Sequence, residues 1–187
     1  MSDETKKETA MQPFVPQNLD QLYSLAKRLA QSSLIPSHLR GKPDDVAVIL
    51  MKGQELGVSP LTSLGTIHVI EGKPAPHAHL IISRAKADRD CEWFRFVLGD
   101  DTQATWETKN RTNPEPTRLT YTIEQAQRAG MCPVDMRKLP TPGQKDSRGN
   151  WEKRPDEMLR KTCGVQLARL EYPEASQGLY AVEELER

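Results

Sequence analysis

Apolar residues follow two rhythms along this chain. Between 18 and 57 the spacing is helical: Leu22, Leu25, Ala26, Leu29 and Ala30 share one face, behind Asn18 or Asp20 as a cap. Pro43-Asp44-Asp45 opens a second helix carrying Val46, Ile49, Leu50, Gly53 and Leu56, with Gly57 as its stop. Ser59-Pro60 starts a short helical turn over 61–64. Residues 66–70 are β-branched and read as a strand, 71–73 as a turn, and 74–76, bounded by two prolines, as an edge segment. Residues 77–86 read as a third helix. After Cys91 the period becomes two, predicting strands at 92–97, 104–108 and 118–122 joined by short polar turns, an antiparallel meander. Residues 123–130 form a short helix ending on glycine, and 131–150, with three prolines and two glycines, read as a long loop.

The last stretch, 151–173, organises the rest. Pro155 suits a first helical position, Asp156 and Glu157 put negative charge at the positive end of the helix dipole, and Pro173 stops the run. Leu159, Thr162, Cys163, Gln166 and Leu170 share one side, flanked by Met158 and Val165. The other side holds Arg160, Lys161, Gly164 and Ala168, where a strip of small residues between cations would let a polyanion backbone come close. The same pattern also describes a core helix with a solvated basic edge. The expected fold class is α+β: a single domain over 17–187, its hairpin and antiparallel meander packed with several helices including a long C-terminal core helix, behind a flexible arm at 1–16.

Charge changes this picture locally. The 187 residues balance 26 cations against 26 acids. Yet 128–169 carries ten Lys/Arg against five Asp/Glu, and 171–187 carries five Glu against one Arg, so a neutral protein can hold a cationic groove beside an acidic tail. Three well-separated cysteines argue for free thiols in a reducing cytoplasm. No apolar run reaches membrane-spanning length, and no signal peptide is visible at the start. No phosphate-binding Gly-rich loop and no nucleophile motif occurs, so no catalytic residue and no cofactor are expected. His77 and His79 sit two apart, a spacing that does not converge on a helix, and no metal site is expected.

Trp151-x3-Pro155-x2-Met158-Leu159-Arg160, then Gln166-x-Ala168-Arg169-Leu170, Gly178-Leu179-Tyr180 and Glu183-Glu184, resembles the end of the core domain of the RecT/Redβ family of single-strand DNA annealing proteins. Gly57-x-x-Pro60 leading into the 67–74 hairpin, the 106–111 strand end and Thr122-x-Glu124-x-Ala126-x-x-Ala129-Gly130 resemble the same family in the same order. The resemblance implies binding of single-stranded DNA and annealing of its complement in homologous recombination and repair. It implies homo-oligomeric rings or filaments working without nucleotide hydrolysis, in the cytoplasm of a bacterial or phage-infected host cell. A phage exonuclease and a host single-strand binding protein are the further partners it implies; no membrane partner is expected.

By motif the resemblance carries DNA contacts to Trp151, Arg160 and Arg169, and by placement to the basic hairpins at Lys73, Lys109 and Arg111. Charge and position add Arg118, Lys153, Arg154 and Lys161. Trp151 has two readings, a ring stacked on a base or a staple against the helix start. Arg169 is expected to clamp a phosphate, so Arg169→Lys should weaken DNA binding by about 1.5–3 kcal/mol and leave melting unchanged. Asp156 and Glu157 stand where the family is often basic, and Thr162 where Redβ has a cation. Two other readings remain in play. A helix-turn-helix regulator would need 60–64 as its recognition helix, which has no Arg, Lys, Asn or Gln to read base edges. A DNA-binding-deficient accessory subunit would suit the neutral charge.

Overall fold

The computed structural model describes residues 16–136 and 145–185. Most of the expected arm at 1–16, and 137–144 of the expected loop at 131–150, lie outside the described residues. The class is α+β, as the periodicities predict, and the chain divides into two compact units, residues 1–65 and 66–187.

In the first unit, helix α1 (Leu19–Ala30) is capped by Asn18, whose side-chain oxygen accepts from the Gln21 N–H, and buries Leu22, Ala26 and Ala30 four residues apart. Helix α2 (Pro43–Glu55) packs against it with Val46, Ala47, Ile49 and Leu50. Gly57 takes the left-handed conformation (φ 68°) that lets the chain turn off α2. Helix α3 (Pro60–Thr66) then passes so close to Gly53 that an added Cβ would overlap the Ser63 side chain.

The second unit begins with a two-stranded ribbon, β1 (Ile67–Ile70) and β2 (Lys73–Pro76). Glu71 and Gly72 both have positive φ (51° and 76°), the signature of a tight type I′ turn. Helix α4 (Ala78–Ala87) follows. The meander is β3 (Cys91–Gly99), β4 (Gln103–Asn110) and β5 (Thr117–Thr122), antiparallel in the order β3-β4-β5. Two register shifts lengthen β3 beyond the expected 92–97. Helix α5 (Ile123–Arg128) carries a reciprocal capping box between Thr122 and Gln125. Helix α6 (Asn150–Lys153) leads into α7 (Pro155–Glu171), and two short turns of helix close the described chain, α8 (Pro173–Ser176) and α9 (Val182–Leu185).

Helix α7 is the centre of this unit, but not as the two-sided helix expected. From Thr162 to Ala168 every residue except Gln166 is buried, so burial follows position along the helix rather than one face. A helix enclosed on all sides needs apolar or small residues all round. This corrects two expectations. Leu170, placed on the apolar side, is 63% exposed in the last turn. The Gly164/Ala168 strip is internal: a Cβ on Gly164 would lie 2.8 Å from Ile82 Cδ1 of α4 and 3.1 Å from Trp106 of β4. Glycine here lets helix and sheet approach; it does not admit a polyanion. Trp106 fills the contact, with Phe94 and Phe96 rings at 5.3 and 5.6 Å and its indole N–H donating to the Arg160 carbonyl at 2.8 Å.

Candidate nucleic-acid interface

The first half of α7, the length of α4 from His79 to Lys86 and Trp106 line a cleft of about 420 Å³. Its floor is apolar, formed by Ile82 and Trp106. Lys86 stands on one rim, its ammonium 5.8 Å from the Trp106 ring centre. Arg160 also lines the cleft, its guanidinium carbon 4.2 Å from the Phe96 ring centre, a cation–π contact. Among the described residues neither Lys86 nor Arg160 has a carboxylate within ion-pair distance.

Lys161, Glu157, Ser83 and His79 complete the walls. Lys161 pairs with Glu157 at 2.7 Å and with Glu183 at 3.6 Å. Glu183 is buried and accepts from the Ala78 N–H at 2.9 Å, tying α9 to the start of α4. Burial, and then the neighbouring His77, lower the pKa of His79, with Lys161 acting the same way and Glu183 opposing. His77 and His79 stack at 5.5 Å, and His68 of β1 meets His77 edge-on at 4.6 Å. A larger hollow of about 970 Å³ lies against 130–135 and 147–152, but its one cation among the described residues, Arg148, is turned onto Asp146. The smaller cleft therefore fits a chain of negative charges carrying flat apolar groups.

The ten residues named from the sequence do not form one patch. Arg160 and Lys161 line the cleft, with Arg154 at the entrance to α7, and Lys153 is exposed on α6. Lys73 is exposed at the tip of the β1–β2 ribbon, as expected. Lys109 and Arg111 lie at the other end of α7, where Tyr172 and Glu171 hold the β4–β5 loop. The Lys109 ammonium donates to the Asn113 and Pro114 carbonyls at 2.7 and 2.6 Å, so it closes that loop. Arg118 lies on the outer face of the sheet, opposite Glu107.

For two residues the geometry argues against DNA contact. Trp151 is 3% exposed within the core, so its ring offers no face to a base and the staple reading fits. Arg169 forks onto the Glu184 carboxylate at 3.2 and 2.8 Å, donates to the Leu179 carbonyl at 3.2 Å and covers the Tyr180 ring at 5.1 Å. Its donors clamp the C-terminal segment onto α7. Sequence reasoning missed Lys86, Ser83 and His79. The signal open to it was the run of cations at Arg84 and Lys86 closing a helix, which alone points to a solvated end.

Among the described residues no cluster of three or more His, Cys, Asp or Glu could hold a metal ion, and no helix is long and apolar enough to cross a membrane. The second unit thus carries a cation-rimmed cleft on its longest described helix, with the charge to attract an anionic ligand. Residues 99–187, which hold β4, β5 and α7, match the model of the RecT family, the family that the sequence resembles. No curated protein matches the chain.

Proposed function

We propose that this protein binds single-stranded DNA along the α4–α7 cleft and anneals a complementary strand to it during recombination. The observation that carries the reading is that two cations without a carboxylate partner among the described residues, Lys86 and Arg160, line one cleft with Ile82 and Trp106. The RecT match over 99–187 supports it, although α4 and Lys86 lie outside the matched residues. Phosphates held by the rim would leave bases free to pair. Lys73, Lys153, Arg111 and Arg118 are exposed and suited to more distant phosphates.

Both compact units act together in this reading, as one annealing domain over 17–187. A cleft of this size spans few nucleotides, so copies assemble along the strand as a ring or filament. Pairing is downhill once strand repulsion is screened, so annealing runs without ATP hydrolysis and the protein is a binding protein rather than an enzyme. A phage exonuclease and a host single-strand binding protein are the partners proposed, in a cytoplasmic setting.

Salt-titrated binding to single- and double-stranded oligonucleotides, with electron microscopy as two complementary strands are added in turn, tests the proposal. Preference for single strands, a steep salt dependence and ATP-free annealing in multimers are expected. Tighter binding to one specific duplex would instead indicate a regulator, and binding to neither an accessory subunit.

A further inference from the structure

Glu157 lines the cleft from the first turn of α7 and divides its two carboxylate oxygens between two cations. One takes the Arg154 guanidinium at 3.0 Å and the other the Lys161 ammonium at 2.7 Å. A phosphodiester has the same chemistry, one negative charge shared over two oxygens. The two acids that reach Lys161 are held differently. Glu183 is 5% exposed at its side chain and is fixed by the Ala78 N–H and by His77 Nδ1 at 3.5 Å. Glu157 is 36% exposed and touches only the two cations of the seat among the described residues. Glu183 can therefore keep Lys161 in place when Glu157 swings away. Exposed pairs of this kind contribute about 0–1 kcal/mol each, so a competing anion can displace Glu157 at little expense in stability.

We propose that Arg154 and Lys161 form a second phosphodiester seat contiguous with the cleft, and that Glu157 occupies it as an internal competitor until a DNA phosphate displaces it. This rests on the single-strand DNA reading above. The Lys161 hydrogen bond, then the charges of Lys161 and Arg154, hold the Glu157 carboxyl below its ordinary range, so the competitor is charged at neutral pH. Glu157 would weaken the grip on the first strand and make that strand easier to release.

The test is oligo-dT binding by fluorescence anisotropy over a salt series, with wild type, Glu157→Gln, Glu157→Ala and Glu157→Gln in a Lys161→Met background. Removing the competing charge should tighten binding about five- to tenfold at fixed salt and steepen the salt slope by about 0.7, one phosphate on a single strand. The gain should vanish without Lys161. Thermal melting checks that each variant is folded, and the two Glu157 variants should agree. Unchanged affinity and slope in Glu157→Gln, with wild type binding normally, would overturn the inference and leave the DNA reading standing. An equal gain in the Lys161→Met background would also overturn it, because the effect would then be diffuse charge and no seat. If neither wild type nor Glu157→Gln binds oligo-dT at low salt, the DNA reading fails and takes the inference with it.

Discussion

Arg160 and Arg169 are the same residue type on the same helix, and the structure gives them opposite surroundings. Nine positions at about 100° each leave them half a turn out of phase. Arg160 packs its guanidinium over the Phe96 ring at the edge of the cleft, with no carboxylate within ion-pair distance among the described residues. Arg169 is forked onto Glu184 and the Leu179 carbonyl. An arginine becomes a binding residue or a clamp according to whether the fold supplies its anion or leaves that to a ligand. The identical chemistry that makes a guanidinium good at phosphate makes it good at carboxylate.

The largest effect should come from breaking the clamp. Arg169→Ala leaves the Glu184 carboxylate, 7% exposed at its side chain, without its cation and frees the last helical turn. Removing one partner of a fully buried pair is worth about 3–5 kcal/mol; with Arg169 at 30% exposure about 2–3 kcal/mol is expected, read as a fall in melting temperature. Arg169→Lys should recover part of it. Normal melting with lost DNA binding would put Arg169 back among the DNA contacts and erase the contrast with Arg160.

Arg160→Ala should do the reverse. Binding to single-stranded DNA should weaken by about 1.5–3 kcal/mol at fixed salt, with a salt slope shallower by about 0.7. The fold should be kept, because the Trp106 indole bonds to the Arg160 backbone and not to its side chain. A variant that melts early without a specific binding loss would make Arg160 a packing residue too.

A smaller effect sharpens the account of the helix between them. Alanine at position 164 gains up to about 1 kcal/mol of helix propensity. It also drives a Cβ against Ile82 and the Trp106 ring, and overpacking of this kind costs about 1–3 kcal/mol. Gly164→Ala should therefore lower stability by about 1 kcal/mol in denaturant melts, and shift the cleft floor that both residues form. A more stable Gly164→Ala protein would mean that α7 does not press on α4 as described.

The smallest effect concerns His79. Its lowered pKa leaves it neutral at pH 7, taking a proton only below the usual histidine range. A phosphate in the cleft favours the charged ring, so binding should take up a proton and tighten modestly as pH falls from 8 to 6. Stability should move the other way: below pH 6.5 the unfolded chain binds this proton more readily than the folded one, so the fold weakens as pH falls. His79→Asn should flatten the binding profile, and an unchanged profile would place the ring outside the phosphate's reach.

Much of this was legible along the chain. Pro155, the acids behind it and Pro173 marked α7 at both ends, because helix termini are fixed by local chemistry. The meander followed from period two. What depended on tertiary contact was hidden. Lys86 joins Arg160 only because Gly164 lets α4 settle against α7, some seventy positions along the chain. Glu183 and Glu184, read as part of an acidic tail, are each a partner: one for Lys161 and His77, the other for Arg169. Charge counting sees their sign but not their reach.

The β1–β2 ribbon carries a last consequence. In a hairpin closed by a two-residue turn, the Ile70/Lys73 and His68/Ala75 pairs exchange hydrogen bonds, so positions 74 and 76 turn their nitrogens to the outer edge. Both are prolines and have no N–H to offer there. That edge cannot recruit another strand. A second copy of this chain cannot extend the ribbon into a shared sheet through this edge.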